Sequence, residues 1–434
     1  MSYNILEDEL IIVERILFME NLFVSNIVIE NVRHLNNIEI SLSKEKRKHL
    51  IFTGKNGSGK TSVLEALTRY LNAAATSDRL IKAQKYLERH TKELDTLQKN
   101  GIKNSQTLEA EKAVKQYKNE LDNIKSGIDV DFNEPMDTLR YYFEKGQFIL
   151  AYYKAERIFK AEVPKHFEKV NLKDHYLINE SPRQLFVKYL LDLKVTEALS
   201  RNNGKNDKAD SIKHWFVKFE DLLKRIFDDE SLELIFEEEA FAFYIKTKNR
   251  ELFDFNTLSS GFAAVLDIVL DIIIRMEKVT NRSFDFNISG IVLIDEIETH
   301  LHLELQKTIL GLLTTFFPNI QFIVSTHSPF ILNSLEDVVI YDLENGIKVE
   351  NGLSNVPYGG IVEGYFNANE MSNTLKEKYE RYKTLITKKD LDDDDFDEIT
   401  DLELFLDEIP DYLALNITTE YQRLKIEFAS REDV

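Results

Sequence analysis

The chain has 434 residues, of which 43% are hydrophobic and 30% are charged, and its formal net charge at pH 7 is −20. This composition is typical of a globular protein, and the acidic balance argues against a protein that binds DNA over its whole surface. Cysteine is absent, which excludes disulfides and thiolate metal sites. Asp271 and Arg275 interrupt the longest apolar run, and acidic residues occupy the place of a signal peptide's basic segment. We therefore predict a cytoplasmic protein with no membrane partner.

The first part of the chain contains an extension and two strands. Residues 1–20 are a polar and apolar extension with helix-like spacing. Apolar residues then alternate over 23–32 and 38–42, which predicts a pair of strands. Arg33 lies in the turn between them.

The stretch from residue 50 to residue 61 organises the rest of the chain. A short apolar run leads into a match to G-x-x-x-x-G-K-[ST], the phosphate-binding loop. Its glycines let backbone N–H groups converge on a phosphate, and the helix that follows adds its positive N-terminal end. Lys60 can reach the β- and γ-phosphates, and the Thr61 hydroxyl can ligate Mg²⁺. The sequence thus predicts ATP and Mg²⁺ as cofactors, with nucleotide contacts from Asn56, Gly57, Ser58, Gly59, Lys60, Thr61 and Ser62.

Residues 78–126 differ in character from the segments on either side. Apolar residues step by three and four with charges between them, and the pattern repeats after Lys99-Asn100-Gly101. This predicts a short antiparallel coiled-coil hairpin. Its lysines would allow contact with DNA or a partner protein, but the acidic residues among them favour a solvated surface.

Two later buried strands end in residues that can serve nucleotide chemistry. Residues 290–294 are apolar and are followed by Asp295 and Glu296. A carboxylate at Asp295 can hold Mg²⁺, and one at Glu296 can accept a proton from an attacking water. Residues 322–325 are also strand-like and lead to His327. At the carboxyl edge of a parallel sheet these groups would lie beside the phosphate-binding loop.

The order of these motifs resembles the ATP-binding-cassette (ABC) type ATPase heads of the SMC, RecF and OLD proteins. The resemblance implies that Glu296 is the catalytic base and that His327 hydrogen-bonds the γ-phosphate. It also implies that Arg33 contacts the nucleotide and that a glutamine senses Mg²⁺ and the attacking water. Gln147, which precedes a predicted strand, is our candidate for that glutamine, and Arg157 is a second candidate phosphate contact.

A further segment resembles the ABC signature Leu-Ser-Gly-Gly-Gln. Ser259 and Gly261 match it, whereas Ser260 and Phe262 depart from it. In the family this segment acts in trans, capping the γ-phosphate bound by the opposite subunit. The resemblance therefore implies a head-to-head dimer that sandwiches ATP, or a higher oligomer.

After the head, residues 367–434 are predicted to form an acidic helical extension. Helical patterns cover 373–389 and 400–428, and the acidic run at 392–395 lies between them. That run is either a solvated linker or a docking surface for a basic partner. The fold class is thus α/β, an ABC-type ATPase head over 21–366 with the hairpin inserted and a C-terminal helical extension.

The chain resembles most the stand-alone ATPase subunits of bacterial antiphage systems of the PARIS or Septu type. That resemblance implies a sensor and scaffold subunit, which holds and releases a separate effector such as a nuclease. One alternative is a RecF- or SMC-like ATPase that binds DNA during repair, which would make nucleic acid a partner. Another is an ATP-locked scaffold with negligible turnover.

Overall fold

The computed structural model describes residues 22–101, 104–157, 169–248, 250–365, 373–408 and 415–431. These residues belong to two compact units, 1–356 and 357–434. The predicted extension at 1–20 lies outside the described residues. The strands are β1 (Val24–Val32), β2 (Leu35–Ser41), β3 (His49–Thr53), β4 (Ile128–Phe132), β5 (Phe148–Tyr153), β6 (Glu233–Glu237), β7 (Ala242–Thr247), β8 (Arg250–Phe253), β9 (Ser289–Ile294), β10 (Ile320–Ser325), β11 (Val338–Asp342) and β12 (Ile347–Val349). The helices of the first unit are α1 (Lys60–Thr76), α2 (Arg79–Lys99), α3 (Ser105–Lys125), α4 (Met136–Glu144), α5 (Phe186–Asn202), α6 (Asn206–Phe227), α7 (Ser260–Glu277) and α8 (Leu303–Phe316), with short helical turns at Pro182–Leu185 and Pro329–Leu332.

A six-stranded sheet, ordered β12-β11-β3-β10-β9-β5, positions the motifs. All neighbouring strands are parallel except β12, which runs antiparallel to β11. Every residue of β9, β10 and β11 is buried, as expected for mainly apolar strands in a sheet that is covered on both faces. Ile294 pairs with Val324 on one side and Tyr153 on the other, and Ser325 pairs with Phe52. The phosphate-binding loop and the segments after β9, β10 and β5 therefore meet at one edge.

A smaller antiparallel sheet, β2-β1-β4, packs beside the phosphate-binding loop. A Cβ atom added at Gly59 would lie 2.8 Å from Leu35 Cδ1 and 3.6 Å from His34 Cε1. This close approach requires glycine at position 59 and brings the β1–β2 turn to the loop. A third, antiparallel sheet has the order β6-β7-β8.

Helices α2 and α3 form a two-helix hairpin at the predicted position. Tyr86 stacks on Tyr117 with ring centroids 5.2 Å apart, and His90 stacks on the same ring at 5.7 Å. Arg79 near the start of α2 pairs with Glu120 near the end of α3, which shows that the two helices run antiparallel.

The second unit contains the helices α9 (Asn373–Ile386), α10 (Asp393–Asp407) and α11 (Leu415–Ala429) around a core that includes Tyr379, Tyr382, Leu402 and Tyr421. The prediction that the acidic run joins two helices is wrong, because α10 begins within that run. Asp392 caps the helix in a reciprocal capping box with Asp395, where the helix dipole favours negative charge. Thr400 lies inside the helix instead of starting it.

No helix in the described part of the chain combines the length and apolar character needed to cross a bilayer.

Candidate nucleotide-binding site

The loop between β3 and α1 has the backbone of a phosphate cradle. Gly54, Gly57 and Gly59 all adopt positive φ angles, of 127°, 85° and 100°. The Lys60 Nζ atom spans the loop and donates hydrogen bonds to the carbonyl oxygens of Gly54 at 2.8 Å and Lys55 at 3.1 Å. The N-cap residue of α1 is Gly59, which provides no capping side chain, so the first N–H groups of the helix remain available to a phosphate.

Two polar atoms beside this loop fit a bound phosphate. The hydroxyl oxygens of Thr53 and Ser58 are buried, and neither has a hydrogen-bond partner within the described residues. A buried polar atom without a partner is costly, and a phosphate oxygen or an ordered water would remove that cost. The loop thus has the shape and the unused donors that a nucleotide phosphate requires.

Ser325, at the end of β10, fixes both acids of the neighbouring strand. Its Oγ donates to Asp295 Oδ1 at 2.6 Å and accepts from the Glu296 N–H at 2.7 Å. Asp295 is only 3% exposed, whereas the Glu296 side chain is half-buried. Sequence analysis missed Ser325. The sequence does contain a signal for it, because Ser325 is a hydroxyl residue at the end of a buried strand, and that strand neighbours the one that leads into Asp295 and Glu296.

Arg157 does not occupy the predicted phosphate-side position. Its guanidinium donates to the carbonyl oxygens of Asp295 at 2.7 Å, Glu296 at 2.9 Å and Ile297 at 3.1 Å. The side chain is 3% exposed, so it lies inside the protein behind the turn at residues 295–299, which contains the candidate base and which we call the catalytic turn. The prediction of a phosphate contact is therefore wrong for Arg157, because both terminal nitrogens donate to backbone carbonyl oxygens and the Nε atom is buried without a partner among the described residues.

His327 has an unused nitrogen in this site. Its backbone N–H donates to Glu298 Oε1, while its imidazole Nε2 is buried without a hydrogen-bond partner in the described structure. Burial, followed by the positive charge of Lys60, lowers the pKa of the imidazole below its usual 6.5. The ring is therefore neutral at pH 7 and can offer one nitrogen to a phosphate oxygen.

We expect replacement of His327 by glutamine to lower kcat for ATP hydrolysis by about tenfold, the cost of one hydrogen bond to a charged group. The ratio of wild-type to variant kcat/KM should stay constant from pH 9 to pH 7, because kcat/KM follows the free protein, in which the pKa of the imidazole is lowered below its usual 6.5. The folded state should also lose stability below that pH, because the unfolded chain binds this proton more tightly. The exposed His214 supplies the control His214→Gln. A ratio that changes through an inflection above pH 7 would show that the charged imidazolium acts instead.

Arg33 and Gln147 lie at different places relative to this site. Arg33 is exposed in the β1–β2 turn with a φ of 55°, next to His34, which approaches the phosphate-binding loop.

Gln147 precedes β5, at the end where Phe148 pairs with Ser289. The acids follow the opposite end of the sheet, so the structure does not bring Gln147 to the site. The prediction placed the residue before the strand, whereas the catalytic edge receives the residues after it.

The signature-like segment begins α7. Ser259 and Ser260 are exposed, and the Ser259 side chain forms no capping hydrogen bond. Gly261 is buried, and a Cβ atom there would lie 3.1 Å from the carbonyl oxygen of His300. Phe262 stacks on Phe227 with centroids 4.2 Å apart, which explains the aromatic residue at this position by local packing. The segment therefore presents two serines at an open helix N-terminus.

The family model described as "AAA domain, putative AbiEii toxin, Type IV TA system" matches residues 50–333. The chain belongs to this AAA-domain family. The match begins in the strand that leads into the phosphate-binding loop and ends six residues after His327, so it includes Lys60, Asp295, Glu296 and His327.

Curated relatives of this AAA-domain protein include the "Septu protein PtuA" of Bacillus mycoides, which is 26% identical over 92% of this chain and 52% of the relative. The "Retron Vc95 probable ATPase" of Vibrio cholerae is 28% identical over 65% of this chain and 54% of that protein. The chain thus spans about half the length of these relatives. An SmcHead bound to the C-winged helix domain of ScpA superposes with a TM-score of 0.39 and 12% identity, over 77% of this chain and 100% of that one.

Proposed function

We propose that this protein is a Mg²⁺-dependent ATPase in which binding and hydrolysis of ATP switch a head-to-head dimer. The observation that carries the proposal is the meeting of Lys60, Asp295, Glu296 and His327 at one edge of the central sheet. These are a phosphate-binding cation, a metal-binding acid, a candidate base and a hydrogen-bonding imidazole. Membership of the AAA-domain family supports ATP as the nucleotide.

Different residues would bind the phosphates, take the proton of the attacking water and hold Mg²⁺. Lys60 would exchange its loop carbonyl partners for the β- and γ-phosphates, and the N–H groups at the start of α1 would hold the remaining phosphate oxygens. Glu296 would take the proton of the attacking water, and His327 Nε2 would hydrogen-bond the γ-phosphate. Thr61 and Asp295 would hold Mg²⁺, which when bound neutralises charge on the phosphates.

The dimer is proposed from the signature-like segment. Ser259 and Ser260 are exposed at the start of α7, and the Ser259 side chain does not cap the helix. Both hydroxyl groups are therefore available to a group outside this copy of the chain. In a dimer, the two serines of one copy would contact the γ-phosphate of the ATP that is bound to the phosphate-binding loop of the other copy. ATP would then hold two heads together, and hydrolysis would release them.

Purified protein tests this function. We expect hydrolysis of ATP with Mg²⁺ and none after the metal is removed with EDTA, and a doubled particle mass when ATP is added under conditions that block turnover. A protein that neither binds nor hydrolyses ATP with Mg²⁺ would contradict the proposal. Tight ATP binding without measurable turnover would instead indicate an ATP-locked scaffold.

We further propose that the protein is the sensor and scaffold subunit of an antiphage complex that holds a separate effector, such as a nuclease. Support comes from the Septu and retron proteins among its relatives. Co-expression with the product of the neighbouring gene, followed by measurement of particle mass, tests this role. We expect one stable complex of both proteins. A bare dimer that binds DNA only with ATP would favour the repair alternative.

A further inference from the structure

The candidate base has an unusual backbone conformation. Glu296 has a φ of 43°, in the left-handed region that residues with side chains seldom adopt. A residue in that region persists only where its surroundings hold it there. The direction of the Glu296 carboxylate therefore depends on the contacts of its backbone, together with the hydrogen bond that Thr299 Oγ1 donates to Glu296 Oε2 at 3.3 Å.

Three hydrogen bonds hold this backbone. The Glu296 N–H donates to Ser325 Oγ at 2.7 Å. Its carbonyl oxygen accepts from Arg157 Nη2 at 2.9 Å and from the Thr299 N–H at 2.9 Å. The Thr299 contact lies within the same turn, whereas Ser325 ends β10 and Arg157 lies in the segment that follows β5. Those two residues anchor the turn from outside.

Arg157 contacts more of this turn than Ser325 does. Its guanidinium reaches the consecutive carbonyl oxygens of residues 295, 296 and 297, and it also donates to the Lys154 carbonyl oxygen at 3.2 Å. The last contact fixes the guanidinium to the end of β5. The planar guanidinium carries several N–H donors on separate nitrogens, so it can donate to four carbonyl oxygens at once. The ammonium group of lysine has all its donors on one nitrogen and cannot reach the same four oxygens.

We propose that Arg157 is a positioning residue, which holds Glu296 in the conformation that directs its carboxylate to the attacking water. This inference rests on the proposed ATPase function. It predicts a loss in the chemical step with little change in ATP affinity, because Arg157 contacts the turn from the buried side and not the phosphate-binding loop. A residue needed only for folding would not separate these two quantities.

Steady-state and binding measurements on Arg157→Lys and Arg157→Ala test the proposal. We expect kcat to fall by about 10- to 100-fold in both variants, the effect of a small displacement of a catalytic group. The dissociation constant for ATP, measured directly, should change by less than about threefold. Thermal unfolding identifies any variant that fails to fold, in which case the conservative lysine variant carries the test.

Arg183→Lys is the matched control. Arg183 lines the same cavity of about 420 Å³ as Arg157, but it pairs with Asp267 and Asp271 on α7 and does not contact the catalytic turn. We expect this variant to keep kcat within about threefold of wild type. Both arginines are largely enclosed, Arg157 with hydrogen bonds to carbonyl oxygens and Arg183 with ion pairs. If the region were sensitive to any arginine replacement, both variants would lose activity.

Single-turnover rates in a Glu296→Gln background decide whether Arg157 acts through Glu296. If it does, adding Arg157→Lys to that background should slow the remaining reaction by less than about twofold. The proposal is overturned if the two losses multiply, if Arg157→Lys retains the wild-type kcat, or if the loss appears in ATP affinity. Absence of hydrolysis by the wild-type protein would contradict the proposed function instead, which separates the two failures.

Discussion

Replacement of Glu296 by glutamine should lower kcat for ATP hydrolysis by about 10²- to 10⁴-fold, the usual contribution of a general base. The amide keeps the size and the backbone contacts of the residue but cannot take the proton of the attacking water. ATP affinity should therefore be retained, and the dimer should persist with ATP. Phosphate release, direct ATP binding and particle mass measure the three quantities on one preparation.

Glu304→Gln is the control for this variant. Glu304 lies at the start of α8 with its side chain 75% exposed and pairs only with the nearby Lys307 among the described ion pairs. Its replacement should leave kcat within about twofold of wild type, as expected for an exposed ion pair. If Glu296→Gln retained more than a tenth of the wild-type rate, another group would have to serve as the base.

Replacement of Lys60 by alanine should weaken ATP binding so far that the protein is no longer occupied at ATP concentrations that saturate the wild type. Loss of a charged donor from a phosphate site costs about 2–4 kcal/mol, or roughly 30- to 1,000-fold in affinity. The loss should appear in the dissociation constant for ATP, unlike the loss in Glu296→Gln, because Lys60 binds the substrate before any chemistry. Titration with a fluorescent ATP analogue measures it.

Lys55→Ala is the matched control within the same loop. The Lys55 side chain is 81% exposed and pairs with Glu344 at 2.9 Å. Its removal should change ATP affinity by less than about threefold, as for other exposed ion pairs. Equal losses in the two variants would indicate a general distortion of the loop and would contradict the assigned role of Lys60.

The parts of the fold that position the site could be predicted because each is local in sequence. Short apolar runs that end at or just before Gly54, Asp295 and Thr326 indicated buried parallel strands. Parallel strands place their carboxyl ends together, so the motifs after them had to meet. The comparisons confirm the family that these motifs indicated.

The contacts that hold the catalytic turn could not be predicted, because they join residues far apart in the chain. Arg157 reaches a carbonyl 139 residues away, and Ser325 reaches an N–H 29 residues away.

The error for Gln147 has a related cause. Its prediction used proximity to a strand, but only the strand's direction decides which end meets the nucleotide. The start of α10 was misplaced because consecutive acids suggested a linker, whereas their position favours a helix N-terminus.

The central claim, that each active site combines two copies of the chain, is tested most directly by mixing two inactive variants. Lys60→Ala lacks a working phosphate-binding loop, and Ser259→Arg blocks the signature-like segment. In a mixed dimer the loop of the second variant would face the intact signature of the first. An equal mixture should regain about one quarter of the wild-type rate, since half the dimers would be mixed and each would have one working site. No recovery, in a mixture where differently tagged copies are shown to pair, would contradict the shared site.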